Sequence, residues 1–281
     1  NAKDDDMTDL STWGLIVPIL LIVGAVAGTL AGLLGVGGGI VIVPVLYWLT
    51  EIGLLDVNQD VAMHFAVATS LATIIPTSIS SARAHNKKGS IDLEMFRAWA
   101  PWIVIGALIG GLLATQFDAS VLSGIFGVIA LIVVVNMLNP KPFTLASAPP
   151  KTLLGRAVIA GPIGAFSAMM GIGGGTLSVP VMTLLSFPVH RAVGTAALFG
   201  LMIAVPGVLG FAFAGQNIEG LLPISLGYIN IPAAIIISIA TFFCAPFGVK
   251  IAHKLNAPRL RLAFAVFLGI SAAKMLSETF L

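Results

Sequence analysis

Long apolar stretches, separated by only a few charge clusters, constrain this chain more than any other feature of its sequence. They run to about twenty residues, the length that an α-helix needs to cross a hydrocarbon core of roughly 30 Å. Only 9% of the 281 residues are charged, against about a quarter in a soluble domain. Lipid offers backbone N–H and C=O groups no partner, so spanning segments must bond internally. The sequence therefore predicts an all-α, polytopic transmembrane helical bundle.

The charge and cysteine content narrow the partners. The net charge of +2 is small and the Lys and Arg residues are scattered, which argues against nucleic acid as a partner. The apolar stretches predict membrane lipid as a partner instead. The single cysteine, Cys244, is interpreted as a buried inert thiol. Residues 1–6 are interpreted as a remnant of processing before a native start at Met7. The apolar run from Trp13 is interpreted as the first membrane element and not as a signal peptide.

An internal repeat divides the chain into two halves. Four segments recur in the same order: residues 28–45 as 164–181, with the glycine clusters 35–39 and 171–175; residues 64–69 as 190–195; residues 89–92 as 227–230; and residues 136–138 as 274–276. The predicted domains are a first repeat at 7–138, a linker at 139–152 and a second repeat at 153–281.

Loop charges predict that the two repeats are inverted. Lys and Arg accumulate on the cytoplasmic side, which assigns the loop 83–97 and the linker region 139–156 to that side. Residues 51–60 carry no Lys or Arg and are predicted outside, whereas the equivalent position in the second half carries His190 and Arg191. The sequence thus predicts a multi-pass protein of the cell inner (cytoplasmic) membrane.

Each half is predicted to contain a helical hairpin broken at its glycines, followed by three spanning helices. The hairpins are expected at 13–50 and 153–187, because both ends of the second one lie near basic residues. The spanning helices are expected at 61–82, 96–115, 121–138, 192–214, 231–252 and 260–277.

The paired glycine clusters are the first candidate for a binding site. Glycine costs up to about 1 kcal/mol relative to alanine inside a helix, so each cluster should break one. Paired breaks in inverted repeats indicate a transporter site, and helices that restart at a break present N–H groups and a positive dipole end to an anion. The candidate residues are Gly35, Gly37, Gly38, Gly39 and Ile40, with Gly171, Gly173, Gly174, Gly175 and Thr176. The alternative is that these glycines only permit close helix packing, the interpretation we adopt for Gly24, Gly28 and Gly32.

Hydroxyl, imidazole and guanidinium groups supply further candidates. Thr69 and Ser70, with Thr195 at the equivalent position, could donate to an oxyanion, or could bond backbone carbonyls instead. Proton-linked transport or anion steering could involve a set of basic residues: His64, Arg83, His85 and His190. The alternative for the three histidines is that they lie at the membrane interface without a role in transport. The alternative for Arg83 is that its charge only sets the topology.

Several function classes lack their residues in this sequence. Every Asp and Glu lies in a predicted loop, terminus or helix end, which argues against cation exchange. No nucleophile–base pair, metal-ligand cluster or cofactor motif is recognisable, so we expect no enzyme, no cofactor and no metal.

The repeated motifs resemble those of the TauE/SafE sulfite exporter family, also called the sulfonate uptake permease superfamily. The matching residues are the two glycine clusters followed by Val-Pro (Pro44 and Pro180), Ala-x-x-Thr-Ser at 66–70, and His85-x3-Gly89-x-Ile91-Asp92. The resemblance implies a transporter for sulfite, thiosulfate or an organosulfonate such as sulfoacetate. The second half departs from the pattern at Thr195-Ala196, where the first has Thr69-Ser70.

The inverted repeat with paired breaks predicts a secondary transporter that holds a small anion between the two glycine breaks and works by alternating access, and the resemblance implies that this anion contains sulfur. An anion channel, or a transporter for a small organic anion without sulfur, would share the same donors and is the alternative. An intramembrane enzyme or a membrane anchor is a further class, with less in the sequence to favour it. A homodimer is left open.

Overall fold

The computed structural model describes residues 2–139, 146–216, 218–252 and 257–280. Within them the chain forms ten α-helices and one short β-hairpin. The elements are α1 (Ala2–Leu34), α2 (Gly39–Glu51), α3 (Gln59–Asn86), α4 (Leu93–Ala114), α5 (Ala119–Leu138), α6 (Leu153–Met169), α7 (Gly175–Leu184), α8 (Val189–Ala214), β1 (Ser225–Leu226), β2 (Ile229–Asn230), α9 (Ile231–Ala252) and α10 (Ala257–Phe280).

The predicted fold class is confirmed. In the part of the chain that the structure describes, five segments are long and apolar enough to cross a membrane: Gly14–Leu34, Gln59–Asn86, Leu93–Ala114, His190–Ala214 and Ile231–Ala252. The only regular structure besides helix in the described residues is the antiparallel pair β1–β2. Both predicted hairpins break at their glycines, between α1 and α2 and between α6 and α7.

The third helix extends beyond its predicted end at residue 82 and reaches Asn86. It ends there because Gly89 takes a φ of +66°, a left-handed conformation that suits glycine, and because Gly89 and Ser90 donate their N–H groups back to Asn86 O and His85 O. Parts of the linker predicted at 139–152 lie outside the described residues.

Corresponding helices of the two halves exchange partners. Helix α1 packs along α9, and its counterpart α6 packs along α4, the counterpart of α9. Helix α3 packs on its own counterpart α8, and α5 packs on α10. Much of the buried surface therefore lies between the halves. The boundaries of the repeats and their inverted orientation in the membrane stay predictions.

Glycines allow the exchanged pairs to approach at backbone distance. A Cβ added to Gly28 would lie 2.5 Å from Thr241 Cα, and one added to Gly32 would lie 1.9 Å from Ala245 O. This confirms the packing interpretation of these two glycines. On the other side of the molecule, a Cβ on Gly164 would lie 2.1 Å from Ile103 O. Small residues at such contacts bring transmembrane helices together without a hydrophobic driving force.

We expect Gly164→Ala to destabilise the protein, because the new methyl group would force α6 and α4 apart. Overpacking of this kind costs about 1–3 kcal/mol, so the thermal unfolding midpoint in detergent should fall. Gly161→Ala is the matched control on the same helix, since a Cβ there meets nothing within 4 Å. Equal midpoints for the two variants would contradict the close contact between α4 and α6.

Candidate functional site at the glycine breaks

The two glycine breaks meet each other at the middle of the structure. A Cβ on Gly37 would lie 2.7 Å from Gly173 Cα, and a Cβ on Gly173 would lie 2.6 Å from Gly37 Cα. Neither position could carry a side chain while the opposite break stays where it is. The two backbones are therefore in direct contact.

The breaks differ in local geometry. Gly35, Gly37 and Gly38 all have positive φ, at 69°, 74° and 82°, whereas Gly171 alone does so in the second break, at 63°. Gly174 already has helical angles and caps α7. Left-handed backbone at three glycines makes the first break a sharper unwinding than the second.

Each restarting helix has a carbonyl of the opposite break beside its first residue. Helices α2 and α7 begin at Gly39 and Gly175, one residue before the predicted Ile40 and Thr176. A Cβ on Gly39 would lie 2.2 Å from Gly171 O, and one on Gly175 would lie 1.9 Å from Gly35 O. In this conformation, backbone oxygen atoms occupy the space next to both helix N-termini. An anion can enter between the breaks only if they separate.

The predicted threonines form an equivalent pair of links between the halves. Thr69 Oγ1 accepts the N–H of Asn230 at 3.1 Å, and Thr195 Oγ1 accepts the N–H of Asp92 at 2.9 Å. Asn230 and Asp92 in turn accept N–H groups in the first turns of α9 and α4. Both threonines are fully buried and hold a helix start of the other half.

Ser70 also holds the halves together. Its Oγ donates to Gly171 O at 2.8 Å, so it stabilises the second break from the first half. No equivalent bond exists on the other side, because position 196 is alanine. The hydroxyls that sequence reasoning selected thus stabilise this arrangement of the breaks.

Three other buried hydroxyls flank the second break and have no hydrogen-bond partner among the described residues: Ser167 Oγ, Thr176 Oγ1 and Ser178 Oγ. Each belongs to a residue no more than 2% exposed. An unsatisfied buried hydroxyl is costly, so such a group calls for an explanation such as a ligand. Thr176 was predicted, and the others were missed. The signal was available in the repeat, because Ile40 and Ile42 occupy the equivalents of Thr176 and Ser178.

The histidines and the arginine lie away from the contact between the breaks. His64 is buried, with Nε2 3.2 Å from Ala114 O and its ring stacked on Tyr228 at 5.1 Å between centroids. His85 is buried at the end of α3, with Nε2 3.0 Å from Gly32 O. His190 and Arg83 are exposed. The structure therefore does not bring these four side chains into one cluster.

Two ion pairs between the halves were missed by sequence reasoning. Arg191 Nη2 lies 2.5 Å from Asp92 Oδ2, and Lys274 pairs with Glu51. Gln59, the first residue of α3, donates to Thr50 O, so Glu51 lies next to the start of this helix. Asp92 lies in the loop that follows the end of α3. The 28 residues of α3 separate these ends by roughly 40 Å. One ion pair therefore joins the halves near each end of this helix.

No candidate metal centre occurs in the part of the chain that the structure describes. Groups of three or more His, Cys, Asp or Glu side chains that could hold an ion are absent there. The polar groups near the breaks are hydroxyls and backbone N–H groups, which suit a small anion without a metal.

A bundle of membrane-length helices, with two broken helices in contact at its centre, defines a multi-pass membrane protein of the transporter class. The family model described as sulfite exporter TauE/SafE matches residues 20–275. The chain belongs to this family, and it is a membrane transporter of the TauE/SafE type.

Three curated relatives are similar to this chain, two of them over nearly its whole length. A probable membrane transporter protein of Haemophilus influenzae is 34% identical over 261 residues, covering 92% of this chain and 97% of the relative. One of Methanocaldococcus jannaschii is 30% identical over 271 residues, covering 93% and 96%. One of Bacillus subtilis is 30% identical over 217 residues, covering 70% and 79%. No solved structure matches the chain.

We expect Thr195→Val to lower the thermal unfolding midpoint, because it leaves the buried N–H of Asp92 without an acceptor. Such a loss costs about 1–3 kcal/mol. Thr195→Ser keeps the oxygen and should stay near the wild type. A Thr195→Val variant that unfolds like the wild type but has lost transport would instead identify Thr195 as a substrate ligand.

Proposed function

We propose that the protein is a secondary transporter that moves a small sulfur-containing anion across the cytoplasmic membrane by alternating access. Sulfite, thiosulfate and organosulfonates such as sulfoacetate are the candidate substrates. The substrate is held between the two glycine breaks when they separate. The observation that carries this proposal is the contact of each helix N-terminus with a carbonyl of the opposite break, beside unpartnered hydroxyls.

The chemistry of the breaks supports an anion. When the breaks part, Gly171 O moves away from the start of α2 and Gly35 O moves away from the start of α7. Two helix N-termini then face the gap with N–H groups that precede the first intrahelical bonds. In α2 the first of those bonds is from Val41 N–H to Gly38 O, which leaves Gly39 and Ile40 ahead of it. Thr176 and Ser178 add hydroxyl donors that place no charge in the membrane.

The choice of a sulfur anion follows from the family description and from the small scale of the site. Sulfite and thiosulfate are compact oxyanions, and a sulfonate presents the same oxygen cluster on a carbon. Two breaks that face each other through Gly37 and Gly173, which have no side chains, suit such a group better than a bulky organic acid. The coordinating residues are those of the two breaks, with Thr69, Ser70 and Thr195 holding the surrounding helices in place.

The two ion pairs between the halves suit alternating access. Asp92–Arg191 and Glu51–Lys274 join the halves near opposite ends of α3, so opening either side requires one of them to break. The loop 83–97 and the linker region 139–156 are proposed to be cytoplasmic, because they are rich in Lys and Arg. On that assignment, Asp92–Arg191 closes the inner side and Glu51–Lys274 the outer side.

We expect Thr176→Val and Ser178→Ala each to reduce sulfite transport while leaving stability intact. Neither hydroxyl has a hydrogen-bond partner among the described residues, so its removal breaks no bond seen in this conformation. A lost bond to a charged ligand is worth about 1.5–3 kcal/mol, or roughly tenfold or more in affinity. The measurement is uptake of labelled sulfite into proteoliposomes at fixed pH, with thiosulfate and sulfoacetate as competitors.

Thr183→Val is the matched control for this experiment. It makes the same substitution farther along α7, where the hydroxyl donates to Pro180 O. It should leave uptake at the wild-type level. Unchanged uptake in Thr176→Val and Ser178→Ala would place the substrate elsewhere, and no uptake of any sulfur anion by the wild type would overturn the sulfur assignment. If the protein gave single-channel currents in a bilayer, it would be an anion channel and not a transporter.

We expect Asp92→Asn and Glu51→Gln to shift the protein towards opposite open states. Each substitution removes one charge of an ion pair and keeps the size of the side chain. Asp92→Asn should raise the reactivity of cysteines introduced at the cytoplasmic side of α8, and Glu51→Gln that of cysteines near the start of α3. Accessibility to a membrane-impermeant thiol reagent, applied from each side, measures the shift. Equal changes on both sides would contradict two separate gates.

A further inference from the structure

A cavity of about 350 Å³ lies between the last turns of α3 and the middle of α8, apart from the contact between the breaks. Its volume falls at the small end of the range of about 300–1,000 Å³ that is typical of ligand pockets. Its wall has nine residues: Ser78, Ile79, Ala82, Arg83, Asn86, Ile91, Leu93, Leu198 and Leu201. Arg83, Asn86 and Leu93 are exposed, so the cavity opens to the surface at that end of α3.

The cavity has a single charge, that of Arg83. No Asp or Glu lines it, and no carboxylate in the described residues forms an ion pair with Arg83. The nearby Asp92 is engaged by Arg191. A guanidinium without a carboxylate partner, at the mouth of a mostly apolar cavity, favours an oxyanion that it can bind through two N–H groups.

A buried hydroxyl marks the inner end of the same cavity. Ser78 is 2% exposed, and its Oγ has no hydrogen-bond partner among the described residues. Ser78, Ala82 and Asn86 recur every four residues and so share one face of α3. Polar groups thus lie at both ends of that face, with an apolar wall between them.

The inner end of the cavity adjoins the second glycine break. A Cβ on Gly200 would lie 2.4 Å from Ser78 Oγ, and a Cβ on Gly174 would lie 2.7 Å from Gly200 N. The backbone of Gly200 therefore lies between the hydroxyl and the break, with Phe199 beside it on the side of Gly174. An anion bound at Ser78 would therefore lie close to the N-terminus of α7.

We propose that this cavity is a second anion subsite, in which Arg83 and Ser78 hold a small sulfur oxyanion or sulfonate before it enters, or after it leaves, the gap between the breaks. The proposal rests on the proposed function, since it names a station on the same route. A single anion in the cavity would bind both the hydroxyl of Ser78, which has no partner among the described residues, and the guanidinium of Arg83, which forms no ion pair there.

Thiol labelling of the cavity tests the proposal without requiring transport. Cys244 is the only cysteine, so Cys244→Ala with Ser78→Cys places a single thiol at the inner end. The thiol is labelled with an anionic methanethiosulfonate ethylsulfonate and with its cationic trimethylammonium analogue. We expect Arg83→Gln to lower the ratio of the anionic to the cationic rate by roughly three- to tenfold, the effect of removing one nearby charge from a partly wet site. Lys88→Gln removes an exposed charge outside the cavity and is the matched control.

Protection by a ligand provides the second readout. Sulfoacetate does not attack the reagent, and it should slow labelling when Arg83 is present but not in Arg83→Gln. If Ser78→Cys does not fold, Ala82→Cys reports from the same wall. A labelling ratio unchanged by Arg83→Gln, or equal protection with and without Arg83, overturns the subsite.

Transport distinguishes failure of the subsite from failure of the proposed function. In proteoliposomes Arg83→Gln should raise the KM for sulfite several-fold, and Lys88→Gln should not change it. Saturable sulfite uptake with an unchanged KM in Arg83→Gln would remove the subsite and leave the transporter. Charge-selective labelling and protection in a protein that takes up no sulfur anion would keep the anion subsite and overturn the proposed function.

Discussion

The contact between the two glycine breaks sets the arrangement of the rest of the structure. Gly37 and Gly173 approach so closely that neither can carry a Cβ, and the helices that start at Gly39 and Gly175 follow directly from that contact. Unwound backbone survives at membrane depth only where protein or a water-filled cavity covers it. Each break covers the unwound backbone of the other, so each glycine break is stabilised by the corresponding break of the other half. The exchange of partners between α1–α9 and α6–α4 then surrounds this contact with helices of both halves.

The two halves share a plan but divide the polar chemistry unequally. Thr69 and Thr195 make the same bond to a helix start of the opposite half. Ser70 has no counterpart, and the unpartnered hydroxyls of Thr176 and Ser178 occupy positions that are isoleucine in the first half. In the proposed site, the hydroxyl donors thus lie mainly on one side of a symmetric scaffold. A single small anion needs only one such set, whereas the scaffold needs both halves to form the contact.

Residues that look alike in the sequence serve different purposes once the helices pack. The backbone N–H groups of Asp92 and Asn230 are satisfied by the threonines, and their side chains cap α4 and α9. Of these two residues, only Asp92 also forms an ion pair, with Arg191. A second ion pair joins Glu51 and Lys274. These ion pairs join residues far apart in the chain, and sequence spacing gives no indication of them. Ser78 and Arg83 share a cavity only because α8 brings Leu198 and Leu201 against the face of α3.

The sequence by itself determined the membrane class, the repeat, the broken hairpins and the approximate bounds of the spanning helices. These properties depend on local composition, since an apolar stretch of sufficient length must become a helix in lipid and a cluster of glycines must interrupt it. Only the tertiary structure decided which hydroxyls are satisfied. Thr69, Ser70 and Thr195 resemble free donors in the sequence but are bonded across the halves. By contrast, three serines that look ordinary in the sequence have no hydrogen-bond partner among the described residues: Ser78, Ser167 and Ser178. Hydrogen-bond satisfaction depends on which backbone group lies within about 3 Å, and that is fixed by the packing of segments about a hundred or more residues apart.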